Sequence, residues 1–180
     1  MIIGFTGLKQ SGKSTASAFL QGQYGFVNLN FKSAMIEEIK KNFPTFLEAE
    51  ANTHKCSVDD LFTSKPGSFR QFLQNYGTEL RRGSDSNYWV NRWLATANKL
   101  WMSDQKNIVV DDVRFLNEAE AIRIAGGKII RIVRKGQDAP DSHASETEMA
   151  FIKPDAVIEV GEGEVVLLCD KLKEVYDNLA

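Results

Sequence analysis

The sequence is poor in residues that staple, ligate or anchor. Its 180 residues hold two cysteines, Cys56 and Cys169, far apart and in no C-x-x-C pair. That excludes a disulfide framework and makes a reduced, intracellular protein the simplest expectation. There are two histidines, and His54 beside Cys56 lacks the partners of a zinc site. No apolar run approaches the length of a membrane span. Strand-like residues from Met1 onward leave no room for a signal peptide, so none is expected. Neither sign of charge dominates: 22 Lys and Arg face 24 Asp and Glu, for a net charge of −2. No basic field argues for nucleic acid or a membrane surface, and local basic clusters read as small-anion sites or solvated faces. What is present is ordinary for a globular chain, with 43% hydrophobic and 26% charged residues. The length suits a single domain over 1–180, with room for an inserted lid.

Short apolar runs alternate with helical patterns. "IIGFT" (2–6), "FVNLN" (26–30), "NIVVDDV" (107–113), "KIIRIVR" (128–134) and "DAVIEV" (155–160) read as strands. Helical periodicity is expected over 13–25, 32–43 (stopped by Pro44), 69–82, 87–101, 115–127 and the C-terminal stretch. Residues 44–68 are polar with weak helical pattern, and 135–148 are polar with a helix-start signal at Ser145. The alternation predicts an α/β fold: a three-layer, mostly parallel sheet with helices on both faces, a helical region over about 32–100 and a short lid over about 135–148.

Between the first strand and the first helix stands "GLKQSGKST". G-x-x-x-x-G-K-[ST] matches in full at Gly7, Gly12, Lys13 and Ser14, in the strand–loop–helix context the motif needs. Glycines let backbone N–H groups point inward, and the helix N-terminus favours an anion. Gly7, Gln10, Ser11, Gly12, Lys13, Ser14 and Thr15 are therefore the candidate ATP-phosphate loop. Lys13 would reach the β- and γ-phosphates, and Ser14 would ligate Mg²⁺. "IVVDD" supplies an acidic strand end at Asp111 and Asp112. Neighbours on a strand point to opposite faces, so one of the two is expected at the cleft; Asp112 is the choice, as metal ligand and catalytic group. A GTPase is not expected, since the one Asn-Lys pair, Asn98-Lys99, lies inside a predicted helix rather than in a guanine-reading N-K-x-D.

Three further stretches make the reading specific: Q-x-x-G-T at Gln74, Gly77 and Thr78; D-V-R-F-x-N-E from Asp112 to Glu118; and H-x-S-E-x-E from His143. Together with the loop they resemble the bacteriophage-type deoxynucleoside monophosphate kinases, over Ile3 to about Val160. The resemblance implies transfer of the ATP γ-phosphate to a dNMP, giving dNDP and ADP with Mg²⁺. The alternatives are another small-molecule P-loop kinase, or a nucleotide-binding or ATPase regulatory module without kinase turnover. Lys9, inside the loop, would touch donor and acceptor phosphates. Arg70 would take the monophosphate as a bidentate fork. Arg114 resembles the family's active-site arginine, with Glu118 a helical turn away as its ion-pair partner. The catalytic set is thus Lys13, Asp112, Arg114, Lys9 and Glu118. Acceptor binding falls to Lys9, Phe31, Lys32, Arg70, Gln74, Gly77, Thr78, Trp89, Asp112 and Arg114. Trp89 is read as a stacking ring, Trp93 and Trp101 as core, and His143 as a lid or structural residue. Arg131 and Arg134 alternate along a strand, where one could reach the lid hinge. Expected partners are dNMP and ATP, with no nucleic acid and no membrane; a homodimer is compatible. The expected location is cytoplasmic: the bacterial cytosol, or the host cytosol for a phage-encoded chain.

Overall fold

The computed structural model describes residues 1–105, 107–136 and 148–179. The chain divides into two compact units, one of Met1–Phe31 with Trp93–Ala180 and one of Lys32–Arg92.

The first unit is built on five strands: β1 (Ile2–Thr6), β2 (Val27–Asn28), β3 (Ile108–Val110), β4 (Lys128–Arg134) and β5 (Ala156–Val160). Their order is β2-β3-β1-β4-β5, and every recorded pairing is parallel. All five residues of β1 are buried, as a strand covered on both faces must be. The pleat sends Ile3 and Phe5 into a core with Ala16 and Leu20 of α1 (Lys13–Tyr24) and with Leu168 and Leu172 of the C-terminal helix (Val165–Leu179). On the opposite face Gly4 meets Ile122 of the helix Leu116–Ile124; a Cβ there would lie 2.8 Å from the Ile122 side chain. Helices therefore cover both faces, as expected.

The order places β1 between β3 and β4. The chain crosses from β1 to β2 on one side and returns from β3 to β4 on the other. The crevice of such a sheet lies at the carboxyl ends of the strands flanking that reversal, here β1 and β3. Gly4 pairs with Val110, so the loop after β1 and the residues after β3 are neighbours. Val113 N–H donates to the Phe5 carbonyl at 3.3 Å, pinning the second to the first.

The second unit is helical. α2 (Phe31–Asn42) enters it and is followed by α3 (Pro44–His54), α4 (Val58–Ser64), α5 (Gly67–Gln74), a π-helix (Asn75–Arg82) and the start of α6 (Tyr88–Met102). Its core contains Ile39, Leu47, Leu61, Phe69, Leu73, Tyr76 and Trp89. Two expectations are corrected here. Residues 44–64 are two helices, not weakly patterned chain. Pro44 ends α2 and then occupies the first turn of α3, where its missing N–H costs nothing. Ser57 and Asp60 form a reciprocal capping box that starts α4. Residues 69–82 are not one α-helix, because the second half is wound as a π-helix.

In chain order the helix Leu116–Ile124 is α7 and Val165–Leu179 is α8. Trp93 is buried at 1% exposure, but Trp101 is 45% exposed in the last turn of α6, so it is not core. Among the described residues no helix is long and apolar enough to cross a membrane. His143, Ser145 and most of the expected lid lie outside the described residues.

Candidate active site

The loop after β1 is shaped by backbone. Gly7 has φ 141°, and a Cβ on it would sit 2.2 Å from the Ile132 carbonyl oxygen and 2.9 Å from Ser11 Oγ. No side chain fits there. Gln10 and Gly12 are also left-handed, at φ 64° and 107°. Gly12 begins α1 with no side-chain cap, and the first turn carries no acid. The N-terminal donors and positive dipole end of a twelve-residue helix are thus aimed into the loop without a carboxylate to neutralise them. Lys13 Nζ donates to the carbonyls of Gly7 and Leu8, each at 2.6 Å, drawing the loop around its own ammonium. Ser11 Oγ and Thr6 Oγ1 are buried with no hydrogen-bond partner. Ser14, Thr15, Lys9 and Gln10 are exposed. A loop bent around Gly7 and Gly12 at an uncapped helix N-terminus, with the Lys13 ammonium drawn into it, fits the phosphates of a nucleotide.

Beside it stands the end of β3. Asp111 is 9% exposed; its N–H donates to Asn30 Oδ1 at 2.9 Å, and its Oδ2 accepts from Asn28 Nδ2 at 3.5 Å. Asp112 is half-buried, and its Oδ1 accepts the N–H of Phe31, the first residue of α2, at 3.1 Å. Asp112 thereby caps α2 while remaining the more accessible of the two carboxylates. Phe31 is 3% exposed and packs on Trp93 with ring centroids 5.0 Å apart, so what it presents is main chain rather than ring. Lys32, next in sequence, is exposed.

Position 118 departs from the expected ion pair. Glu118 is 4% exposed, and its Oε2 accepts the main-chain N–H groups of Arg114 at 2.8 Å and Phe115 at 3.1 Å. It caps α7 and fixes the backbone from which Arg114 projects; the Arg114 side chain is exposed. Glu148 adds to the same helix start, its Oε1 accepting from Leu116 N–H at 2.9 Å. Arg131, one of the two cations read as able to reach the lid hinge, is bonded to residues just after that stretch. Its guanidinium gathers the carbonyls of Met149 at 3.0 Å and Ile152 at 2.5 Å, tying the chain before β5 to β4. Arg134 pairs with Glu162 and donates to the Gln10 carbonyl at 3.4 Å.

In the second unit Arg70 lies exposed on α5, with Gln74 four residues on and also exposed, so helical spacing puts both on one face. Gly77 and Thr78 fall in the π-helix, a rare winding that recurs at functional sites. Trp89 is 5% exposed, and its indole N–H donates to the Gly77 carbonyl at 2.9 Å. It stands edge-on to Tyr88 with centroids 4.7 Å apart. Trp89 is therefore part of this unit's buried core rather than an open stacking platform.

Sequence reasoning missed the centre of this unit. Glu38 is 7% exposed, with Tyr76 and Tyr88 hydroxyls and the Arg81 and Arg92 guanidiniums converging on its carboxylate. Burial works to raise its pKa. The hydrogen bonds from Tyr76 and Tyr88 and the charges of Arg92 and Arg81 together outweigh burial and hold it below the usual carboxylate value. A buried acid on the apolar side of a helix was the available signal.

Among the described residues no three His, Cys, Asp or Glu side chains converge as a metal cage. Ser14 and Asp112 supply oxygen ligands of the kind Mg²⁺ takes in small number alongside phosphate oxygens.

A five-stranded parallel sheet with a phosphate loop at its order reversal defines a P-loop nucleotide-binding protein. A solved Thermus thermophilus protein, TT1252, has the same fold at a TM-score of 0.50, with 17% identity over 100% of this chain and 98% of that one. The deoxynucleotide monophosphate kinase family model matches residues 38–172, and the chain belongs to that family. A protein of Acanthamoeba polyphaga mimivirus, provisionally named for that activity, is 32% identical over 99% of this chain and 97% of its own length. The deoxynucleotide monophosphate kinases of Escherichia phage RB69 and Enterobacteria phage T4 are 30% and 31% identical over 62% of this chain. Those matches span 43% and 46% of the phage proteins, less than half of each.

Proposed function

We propose that this protein transfers the γ-phosphate of ATP to a deoxynucleoside monophosphate, giving dNDP and ADP. One observation carries the reading. The family match, over 38–172, runs through both the acidic end of β3 and the Gln74–Thr78 stretch, in a chain whose β1 ends in a glycine-shaped phosphate loop.

Phosphoryl transfer asks for positioning and charge neutralisation rather than covalent participation. The N–H groups of Gly7 to Thr15 hold the ATP phosphates. Lys13 exchanges the loop carbonyls for the β- and γ-oxygens, and Lys9 stands ready for donor and acceptor phosphates. Ser14 and Asp112 would hold Mg²⁺, which when bound neutralises phosphate charge. Arg114, held by Glu118 through the main chain, faces the transferring group. Arg70 takes the monophosphate, while Lys32, Gln74, Thr78, the Gly77–Trp89 wall and the main chain at Phe31 define the nucleoside end. The acceptor-binding region is the stretch of about 32–100 within a single kinase domain.

The test is ADP formation with ATP, Mg²⁺ and a panel of dNMPs and NMPs. ADP that appears only with a dNMP, alongside dNDP, is expected. Acceptor-independent ADP would point to an ATPase module, and turnover only with a non-nucleotide acceptor to a different small-molecule kinase. On the acceptor side, a charge-assisted bond of about 1.5–3 kcal/mol is worth about 10- to 150-fold in affinity. Arg70→Ala should weaken dNMP binding by that factor in titration calorimetry and leave ATP binding unchanged. Equal loss for both ligands would remove Arg70 from the acceptor site.

A further inference from the structure

Glu38 has no part in the chemistry just described, yet four side chains converge on its carboxylate. Its Oε1 accepts a hydrogen bond from Tyr76 Oη at 2.5 Å and forms an ion pair with Arg81 at 2.6 Å; its Oε2 accepts from Tyr88 Oη at 2.6 Å and pairs with Arg92 at 2.8 Å. Both oxygens are thus saturated by donors from two other elements, the π-helix and α6. Arg81 also donates to the Tyr76 hydroxyl at 2.9 Å and lies over the rings of Tyr76 and Tyr88, at 5.1 and 5.0 Å.

The positions of the two tyrosines give the network its meaning. Tyr76 immediately precedes Gly77, and Tyr88 immediately precedes Trp89. Gly77 and Trp89 are joined by the indole N–H bond to the Gly77 carbonyl. Met35, three residues before Glu38 on α2, closes the other side: a Cβ at position 77 would lie 2.7 Å from its sulfur. The Gly77–Trp89 wall is therefore located from α2 twice, by contact at Met35 and by directional bonds at Glu38. Apolar packing alone would bury this region at less desolvation cost. What two hydrogen bonds and two ion pairs converging on one carboxylate add is a fixed angle between elements.

We infer that Glu38 is a positioning residue for the nucleoside part of the acceptor, setting the Gly77–Trp89 wall through Tyr76 and Tyr88. The inference rests on the dNMP kinase reading. Because its effect passes through that wall, it acts on acceptor binding and not on the phosphate loop, whose residues belong to the other unit.

Glu38→Gln keeps the shape but loses the charge and one oxygen acceptor. Tyr88→Phe keeps the ring and removes one donor. Steady-state kinetics of both, with a thermal melt of each, decide the matter. Glu38→Gln should raise KM for dNMP about tenfold or more, with KM for ATP within about twofold and most of kcat retained. Tyr88→Phe should shift the dNMP KM in the same direction by about threefold. An unchanged dNMP KM in a folded Glu38→Gln protein, or equal rises for dNMP and ATP, would overturn the inference and leave the network a purely structural brace. If Glu38→Gln does not fold, Tyr88→Phe and Tyr76→Phe are judged by the same criteria. Wild-type turnover is measured first: a wild type that phosphorylates no dNMP ends the kinase reading and this inference with it, whereas an active wild type with insensitive variants ends the inference alone.

Discussion

The two carboxylates after β3 allow stability and chemistry to be separated with one substitution each. Asp112 Oδ1 accepts the Phe31 N–H at 3.1 Å, and an asparagine keeps an oxygen in that place. What Asp112→Asn loses structurally is a charge at the start of α2, worth about 0.3–1 kcal/mol. For a domain of this size that is a fall in Tm of at most about 4 °C. Asp111→Asn likewise keeps an acceptor for Asn28, whose bond is long at 3.5 Å, and leaves the Asp111 N–H bond to Asn30 untouched. Its structural cost should be about 1 kcal/mol. The functional costs should differ sharply. If Asp112 ligates the metal or orients the acceptor, removing its charge should lower kcat by about 10²-fold or more, at least about 2.7 kcal/mol of transition-state stabilisation. Asp111→Asn should stay within a few-fold of wild type. The assay is ADP release at saturating ATP and dNMP, with melts run on the same preparations. Equal losses would refute the single-carboxylate assignment. The reverse order would make the buried Asp111 the working group and leave Asp112 as a cap of α2.

Lys13→Ala should lower kcat by about 10²-fold or more with little change in the circular-dichroism melt, since the ammonium donates to the carbonyls of its own loop, at Gly7 and Leu8, rather than bracing the sheet. Gly7→Ala forces a side chain onto φ 141° and against the Ile132 carbonyl; it should cost about 2–4 kcal/mol in urea melts and abolish ATP binding. Gly22→Ala, in α1 with nothing within 4 Å of the new Cβ, should instead stabilise by about 0.5–1 kcal/mol. Glu38 gives a pH signature. Its folded pKa lies below the reference value of 4.5, so its contribution is present above pH 4.5 and is lost as pH falls through the folded value. Wild type should lose stability over that acid window, Glu38→Gln should lose less of it, and parallel acid curves would show that Glu38 does not titrate with folding.

What the sequence made legible follows from how each part is encoded. The strands of the first unit are continuous apolar runs because parallel strands are covered on both faces, and Lys128–Arg134 was readable to the residue. The phosphate loop is a local pattern of glycines with its strand and helix attached. The second unit resists the same reading for physical reasons. The helix at Pro44 begins where proline ordinarily signals a stop, and the capping box Ser57–Asp60 sits in a stretch whose polarity hides Leu61 and Phe62. The π-helix has no propensity signature. Its i→i+5 register brings Arg81 beside Tyr76, where α-helical spacing would have matched Tyr76 with Leu80, which is 58% exposed. Glu38 was hidden because a charge is ordinarily read as solvated even at helical spacing from Met35, and only the partners at Tyr76, Arg81, Tyr88 and Arg92 show it inside.

This contrast in encoding bears on how the activity can vary. The donor loop is specified by backbone: a left-handed Gly7, an uncapped α1, and the adjacency of β1 and β3 that parallel pairing enforces. Lys9, Gln10, Ser14 and Thr15 are exposed there, and substitutions at Gly7, Gly12 and Lys13 should disturb phosphate binding most. The nucleoside wall proposed at Gly77 and Trp89 is specified by side chains instead, through one carboxylate, two hydroxyls and an indole N–H. Hydrogen bonds of that kind discriminate sharply, because a changed partner leaves a buried polar group unsatisfied. Base and sugar preference should therefore respond to substitutions around Glu38, Tyr76, Tyr88 and Trp89, while ATP usage stays constant through the same series.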